Sequence, residues 1–259
     1  MADTKLAGIG VLVTRPRDRA TDLVDAIAQK GGVAIELPVM EVIAHDTAKI
    51  EHDVANLLEA DIAIFVSANA VRLGLAYAGT AKIAAIGPAT AMAVRRHGRE
   101  VDIQSVDGFD SEHLLNAGEL QDVHGKVIRI VRGDIGRELL ARTLRSRGAI
   151  VEYLATYRRQ IPEYSGEKLA RITEQWRAGK VDVVTIMSVE SLQNLLKILP
   201  PECRELLANT SLVTPAQRVV QEAAAQLPGI PTTLAKGPQV NDIIDAILSC
   251  KKPLTRISR

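Results

Sequence analysis

The sequence is poor in aromatic residues, and neither sign of charge prevails in it. Phenylalanine, tyrosine and tryptophan make up 3% of the 259 residues, so the stacking surfaces that bind single-stranded nucleic acid are scarce. The 32 lysines and arginines against 31 aspartates and glutamates leave a net charge of +1, which provides no overall field for nucleic acid or an anionic membrane. We therefore expect no nucleic-acid partner.

Long apolar runs and paired cysteines are missing as well. No uninterrupted apolar run approaches the roughly 18 residues of a membrane span, so no membrane partner is expected. The polar start of the sequence lacks the layout of a signal peptide. The two cysteines, Cys203 and Cys250, form no CxxC motif, which favours a reducing compartment. These observations predict a cytoplasmic protein.

The usual motifs for metal ions and nucleotides are also lacking. The 5 histidines are scattered without an HExxH motif, and no GxGxxG motif, Walker phosphate loop or GxSxG elbow is present. We therefore expect no metal site, no cofactor and no serine nucleophile. An enzyme of this composition would act by binding, orientation and proton donation.

Short runs rich in valine and isoleucine alternate with amphipathic helical patterns along the chain. Residues 9–13, 62–66 and 127–131 are examples of such runs, and each is followed by a helical pattern. Apolar strands between amphipathic helices are typical of parallel sheets that are covered on both faces. The sequence predicts an α/β protein.

The two halves of the chain contain similar segments in the same order. Residues 13–16 and the following helix parallel those from residue 131, residues 61–75 parallel 182–196, and residues 87–90 parallel 214–217. This pattern predicts two similar α/β domains. The alternative, that strand–helix units resemble one another in general, stays open.

A small residue stands at each point where a predicted strand gives way to a helix. These residues are Thr14, Ser67, Gly87, Ser111, Gly133, Ser188 and Thr214. Serine and threonine cap helices, and Pro88 and Pro215 suit a first helical position. The free N–H groups of such turns also bind anions, at the end of the sheet where ligands bind. Plain capping is the alternative for each turn.

Arginines flank two of these turns. Arg15 follows Thr14, and Arg132 precedes Gly133. A guanidinium group pairs with a carboxylate or phosphate through two hydrogen bonds. If the turns face one cleft, they suit a ligand with many acidic groups.

Several motifs, in this order, resemble the uroporphyrinogen-III synthase family. They are VLVTRP at 11–16, FVSANAV at 65–71, AIGPATA at 85–91, SEHLL at 111–115, RGA at 147–149 and YRR at 157–159. The resemblance covers essentially the whole chain. It implies a cofactor-free enzyme of haem synthesis that cyclises hydroxymethylbilane, an octacarboxylate, to uroporphyrinogen III with loss of water and inversion of the last pyrrole.

The resemblance also implies the arrangement of the domains. Residues 1–36 and 160–259 would form one discontinuous α/β domain, and residues 43–153 the other. A two-stranded ladder of residues 37–42 and 154–159 would join them, with the active cleft between the domains. By analogy we expect a monomer, and a transient contact with the preceding enzyme of the pathway stays open.

In that family, backbone amides and small hydroxyl residues bind the carboxylates of the substrate. The resemblance and the turns together give these substrate-binding candidates: Thr14, Arg15, Ser67, Ala68, Asn69, Gly87, Thr90, Ser111, Glu112, Arg132, Gly133, Ser188 and Thr214. The segments around Ser188 and Thr214 depart from the family pattern, which lowers the weight of these two assignments.

Tyr157 matches a tyrosine that the family places at the cleft, and it is the candidate catalytic residue. Loss of the substrate hydroxyl needs a proton donor, and a phenol keeps its proton at neutral pH. The alternative, an amphipathic tyrosine on a ladder strand, stays open.

Two other classes of function fit the same residues. A non-catalytic, two-lobed module that binds a polyanionic metabolite would also use anion-binding turns. A transferase that uses nucleotide sugars or phosphates could have twin α/β domains, but the missing phosphate loops count against it.

Overall fold

The computed structural model describes residues 5–105, 108 and 110–250, in which strands and helices alternate. The strands are β1 (Gly10–Val13), β2 (Val33–Glu36), β3 (Glu41–Ala44), β4 (Ile62–Phe65), β5 (Lys82–Ala85), β6 (Ile103–Gln104), β7 (Val127–Gly133), β8 (Ile150–Gln160), β9 (Val183–Thr185), β10 (Ser211–Thr214) and β11 (Thr232–Leu234). The helices are α1 (Arg17–Gln29), α2 (Thr47–Ala55), α3 (Ala68–Gly74), α4 (Pro88–Arg96), α5 (Ser111–Leu114), α6 (Leu139–Ser146), α7 (Gly166–Arg177), α8 (Val189–Ile198), α9 (Cys203–Ala208), α10 (Gln217–Gln226) and α11 (Val240–Ser249). Leu75–Tyr77 and Gly118–Leu120 are single turns of 3-10 helix.

The chain divides into two compact units. Unit 1 comprises Met1–Glu41 and Gln160–Arg259, of which residues 1–4 and 251–259 lie outside the described part, and unit 2 comprises Val42–Arg159. The sheet of unit 1 has the order β11-β10-β9-β1-β2, and that of unit 2 the order β3-β8-β7-β4-β5-β6. Neighbouring strands are parallel from β11 to β2 and from β8 to β6, which confirms the predicted α/β class. Within the described residues, no helix has both the length and the apolar character that crossing a membrane requires.

The two sheets repeat one design. Strands β11, β10, β9, β1 and β2 correspond in order to β6, β5, β4, β7 and β8. An aspartate precedes the third strand in each series, and its carboxylate accepts a backbone N–H from the start of the neighbouring strand. Asp182 Oδ2 accepts from Gly10 at 2.8 Å, and Asp61 Oδ2 accepts from Val127 at 2.7 Å. The similarity predicted between the halves is therefore present in the fold.

Alternate side chains of each inner strand enter two different hydrophobic clusters. In unit 1, Leu12 and Val184 pack with side chains from α7 to α10, whereas Val11 and Val13 pack with those of α1 and α11. Strand β4 of unit 2 shows the same alternation. Because both faces of each sheet are buried, the strands are apolar throughout rather than alternating.

The connecting strands differ from those that the sequence suggests. Residues 37–40, expected to open a strand at 37–42, form none, and β3 begins at Glu41. Pro38 has no N–H to donate, and the neighbouring N–H groups of Leu37 and Val39 donate back to residues 13 and 14. The second connecting strand, expected at 154–159, is the longer β8, because its pairing with β7 begins at Ile150. Strands β3 and β8 are neighbours within the sheet of unit 2 rather than a separate ladder.

Candidate active site

Tyr157 lies near the end of β8, and its hydroxyl group contacts Ser67. The side chain is 2% exposed, and the two hydroxyl oxygens are 3.1 Å apart. Ser67 is the N-cap of α3, and its Oγ accepts the N–H of Ala70 at 3.1 Å. The predicted cap at Ser67 is confirmed. The sequence predicts Ser67 and Tyr157 as site residues, and the structure adds that their hydroxyl groups are in contact.

Gly133 lies opposite Tyr157 at an irregularity in the pairing of β7 with β8. The register shifts between Arg132 and Gly133, so that Gly133 pairs with Tyr157. A Cβ on Gly133 would lie 2.7 Å from Cε2 of Tyr157, so a larger residue would displace the ring. The expected helix-terminal turn at Gly133 is wrong, because β7 continues through this bulge and α6 begins only at Leu139.

A cavity of about 400 Å³ in unit 2, the Tyr157 pocket, opens beside this tyrosine. The polar side chains that line it are Asp110, Ser111, Arg132, Arg137, Tyr157 and Arg159. Three guanidinium groups and one carboxylate line the pocket, so it offers more hydrogen-bond donors than acceptors to an anionic ligand. Val66 and Ile130 form part of the apolar wall of this pocket. The pocket therefore suits a ligand that combines an apolar body with acidic groups.

Arg132 is buried in the wall of the Tyr157 pocket and is paired with Glu138. Its Nη1 donates to Glu138 Oε1 at 3.0 Å, and its guanidinium carbon lies 4.7 Å from the centre of the Tyr153 ring. The hydroxyl group of Tyr153 donates to the second carboxylate oxygen of Glu138. Hydrogen bonds from Tyr153 and then from Arg132 lower the pKa of the Glu138 carboxyl. Burial and then the bond to Glu138 raise the pKa of Tyr153.

The turns after β4 and β5 place the other predicted residues of unit 2. Ala68 and Asn69 form the first turn of α3, and Asn69 Oδ1 accepts from Arg72 at 3.3 Å. Gly87 is the N-cap of α4 and Pro88 its first residue, as predicted. Thr90 is buried in the same first turn, at 6% exposure.

The turn before α5 differs in its capping residue from the prediction. Asp110, not Ser111, is the N-cap, and its Oδ1 accepts the N–H of His113 at 2.9 Å. The backbone N–H of His113 and then its side chain lower the pKa of Asp110. Ser111 is the first helical residue and lines the Tyr157 pocket. Glu112 is exposed, and its carboxylate lies 3.8 Å from Arg137 Nη1.

Two of the predicted residues of unit 1 follow β1. Thr14 was expected to cap the next helix, but its buried hydroxyl group donates to the carbonyl of Thr185 at 2.6 Å. The cap position of α1 is Pro16, without a side-chain bond, so the capping prediction at Thr14 is wrong. Arg15 donates to the carbonyl of Pro238 at 2.9 Å, and burial lowers the pKa of its guanidinium group.

Of two further predicted residues of unit 1, Ser188 follows β9 and Thr214 is the last residue of β10. Ser188 caps α8, as predicted, by accepting the N–H of Ser191 at 3.1 Å. Thr214 is fully buried, and its hydroxyl oxygen accepts the N–H of Ala216 at 3.2 Å. Pro215 is not the first helical residue, because this short turn delays the start of α10 to residue 217.

The structure thus gathers part of the predicted site in unit 2 and adds residues to it. Arg159 was not among the substrate-binding predictions, although it lies two residues after Tyr157 on one strand, a spacing that places both side chains on the same face. Asp110 could have been found from the preference of aspartate for N-cap positions. In the described part of the chain, no group of three or more His, Cys, Asp or Glu side chains is arranged to hold a metal ion.

Comparisons with known proteins agree on one family. A family model described as uroporphyrinogen-III synthase HemD matches residues 21–245. The uroporphyrinogen-III synthase of Salmonella typhimurium is 32% identical over 76% of this chain and 82% of its own. That of Escherichia coli is 31% identical over 83% of this chain and 90% of its own.

Solved structures agree on the fold. A mutant uroporphyrinogen III synthase from Thermus thermophilus matches 92% of this chain and 97% of its own, with a TM-score of 0.59 at 18% identity. The uroporphyrinogen-III synthetase of Helicobacter pylori matches 94% of this chain and 100% of its own, with a TM-score of 0.60 at 15% identity. The sequence matches and the shared fold lead to one conclusion: the chain belongs to the uroporphyrinogen-III synthase family.

Proposed function

We propose that the protein converts linear hydroxymethylbilane to uroporphyrinogen III, with loss of water and inversion of the last pyrrole, in haem synthesis. Membership of the family and the names of its relatives support this proposal. The observation that carries it is the Tyr157 pocket, where a buried phenol stands beside three guanidinium groups. Such a pocket offers a proton donor and counter-charges for an acidic substrate.

The first chemical step is the loss of the hydroxyl group from the hydroxymethyl carbon. In our proposal Tyr157 donates its proton to this group, the C–O bond breaks with both electrons on oxygen, and water leaves. Ser67 Oγ, 3.1 Å from the phenol oxygen, can donate a hydrogen bond to the phenolate that remains. Attack by the substituted carbon of the last pyrrole forms the new C–C bond, and the older bond from that carbon to its methylene group then breaks with its electrons returning to the ring. The released methylene carbon bonds to the free α-carbon of the same pyrrole, and the proton lost from that carbon restores the phenol.

Selection of the isomer depends on the orientation of the terminal pyrrole. Unaided closure gives the uninverted isomer, so the protein must hold the ring such that its substituted carbon attacks first. The guanidinium groups of Arg132 and Arg137 and the helix-terminal turns at Ser67 and Gly87 supply hydrogen-bond donors for its carboxylates. Orientation by many contacts can then supply the selectivity without a cofactor.

The proposal is tested by mixing the purified protein with freshly prepared hydroxymethylbilane and separating the products as isomers I and III. We expect isomer III in excess, formed faster than closure without protein. Isomer I alone, at the spontaneous rate, would remove the enzymatic proposal in favour of a module that only binds polyanions.

Anchoring by many contacts predicts a gradual effect when one hydroxyl group is removed. We expect Thr90→Val to raise KM for hydroxymethylbilane about two- to tenfold, the value of one neutral hydrogen bond, with kcat little changed. Thr143→Val is the matched control, because Thr143 lies within α6 rather than in a first helical turn that follows a strand. Complete loss of turnover in a folded Thr90→Val variant would contradict distributed anchoring.

We also propose that the reaction needs no cofactor and that a monomer performs it in the cytoplasm. The sequence lacks nucleotide and metal-binding motifs, and Cys203 and Cys250 are both free thiols. Each unit would act as one domain, with residues 1–41 and 160–259 in the first and 42–159 in the second. A transient contact with the preceding enzyme of the pathway stays a prediction.

A further inference from the structure

The side chain of Arg132 is restrained from several directions. It is 7% exposed, yet it carries a positive charge that must be compensated. Its Nε donates to the carbonyl of Gly133 at 3.2 Å, and its Nη1 donates to Glu138. The ring of Tyr153 lies against the guanidinium group. Few other orientations of this side chain retain all three contacts.

Gly136 restrains the same guanidinium group. A Cβ at Gly136 would lie 2.9 Å from Nη2 of Arg132 and 3.0 Å from its Cζ, so a larger residue would push the guanidinium group out of this position. Glu138 is itself held twice, by Arg132 and by the hydroxyl group of Tyr153. Glu138 and Tyr153 therefore restrain each other through their hydrogen bond, and both also contact Arg132.

The restrained arginine faces the Tyr157 pocket, whereas the residues that restrain it do not. Arg132 lines the pocket, and neither Glu138 nor Tyr153 does. Within the described residues, Nη2 of Arg132 makes no hydrogen bond, although the other two nitrogens do. We propose that Glu138 and Tyr153 are positioning residues that hold Arg132 so that its Nη2 binds one carboxylate of the substrate. This inference rests on the function proposed above.

Two physical effects would follow from such restraint. An arginine already held in one orientation loses little side-chain entropy when it binds a carboxylate. Because its hydrogen bonds lower the pKa of Glu138, the carboxylate stays charged at neutral pH and compensates the buried guanidinium group. Glu138 would thus act through Arg132, without contact to the substrate.

Steady-state kinetics of the full chain with hydroxymethylbilane test the proposal. Glu138→Ala should raise KM about tenfold, because a hydrogen bond to a charged group is lost, while kcat stays within about twofold. Glu138→Gln should keep KM within about threefold of the parent, because the amide oxygen still accepts from Arg132. Tyr153→Phe should raise KM about twofold, since the ring contact remains.

Glu119→Ala is the matched control, because it removes one exposed carboxylate of unit 2 outside the Tyr157 pocket and should leave both constants unchanged. An unchanged KM in Glu138→Ala, or an equal rise in Glu138→Gln, would overturn the positioning role. If Glu138→Ala does not fold, the KM and kcat of Glu138→Gln and Tyr153→Phe test the positioning role instead. Isomer I alone from the parent protein would instead refute the proposed function.

Discussion

Tyr157→Phe is expected to lower kcat about 10²- to 10⁴-fold, the range that a general acid contributes. The phenyl ring would still fill the space opposite Gly133, and only the bond to Ser67 would be lost. The loss of stability should therefore be small, about 1 kcal/mol. Formation of isomer III from hydroxymethylbilane measures kcat, and thermal unfolding measures stability.

Tyr164→Phe provides the control for that experiment. Tyr164, in unit 1, also donates one hydrogen bond, to the carbonyl of Pro38 at 2.7 Å, and it does not line the Tyr157 pocket. Its replacement should cost similar stability and leave kcat unchanged. If Tyr157→Phe retained kcat within a factor of about three, far below a general acid's contribution, Tyr157 would be a packing residue and the proton donor would lie elsewhere.

Gly10→Ala should cause the largest loss of stability, about 3 kcal/mol or more. A Cβ at this position would lie 1.7 Å from the carbonyl oxygen of Lys180, which is a backbone atom that cannot rotate away. Strand β1 cannot shift to relieve the clash, because the N–H and carbonyl of Gly10 are both bonded to Asp182. A fall of about 10 °C in the midpoint of thermal unfolding is expected.

Gly166→Ala separates this clash from the general effect of replacing glycine. Gly166 begins α7 in the same unit, and no heavy atom lies within 4 Å of the added Cβ. Alanine there should leave stability unchanged or raise it by up to about 1 kcal/mol. Equal midpoints for the two variants would show that the start of β1 tolerates a side chain.

The strand–turn–helix units could be predicted because each carries its own local signal. Ser67 and Ser188 follow buried strands and cap the next helix, and Pro88 occupies the first helical position as its chemistry favours. A local signal can also be overlooked. Helix α7 was not predicted, although Ser165 caps it and Ile172 and Trp176 lie on its buried face.

The contacts of the candidate site could not be predicted, because they join distant parts of the chain. Tyr157 and Ser67 are 90 residues apart and meet only through the pairing of β8, β7 and β4. The bulge that brings Gly133 against the ring of Tyr157 leaves no sequence pattern other than the glycine itself. The burial of Thr14 likewise depends on Thr185, which lies on the other segment of unit 1.

Unit 1 is built from two chain segments that are translated at different times, which affects how its sheet can assemble on the ribosome. Unit 2 is one continuous segment, whereas β1 must pair with β9, in which Val183 lies opposite Val11. At a rate of about 5 to 20 residues per second, a ribosome needs roughly 10 to 30 s to make the residues between these strands. During that time the amino-terminal strand can pair only with β2, and its edge toward β9 has no partner, while unit 2 emerges complete. Unit 2 can therefore be complete before β1 gains its second neighbour, and the sheet of unit 1 depends on sequence that is translated late.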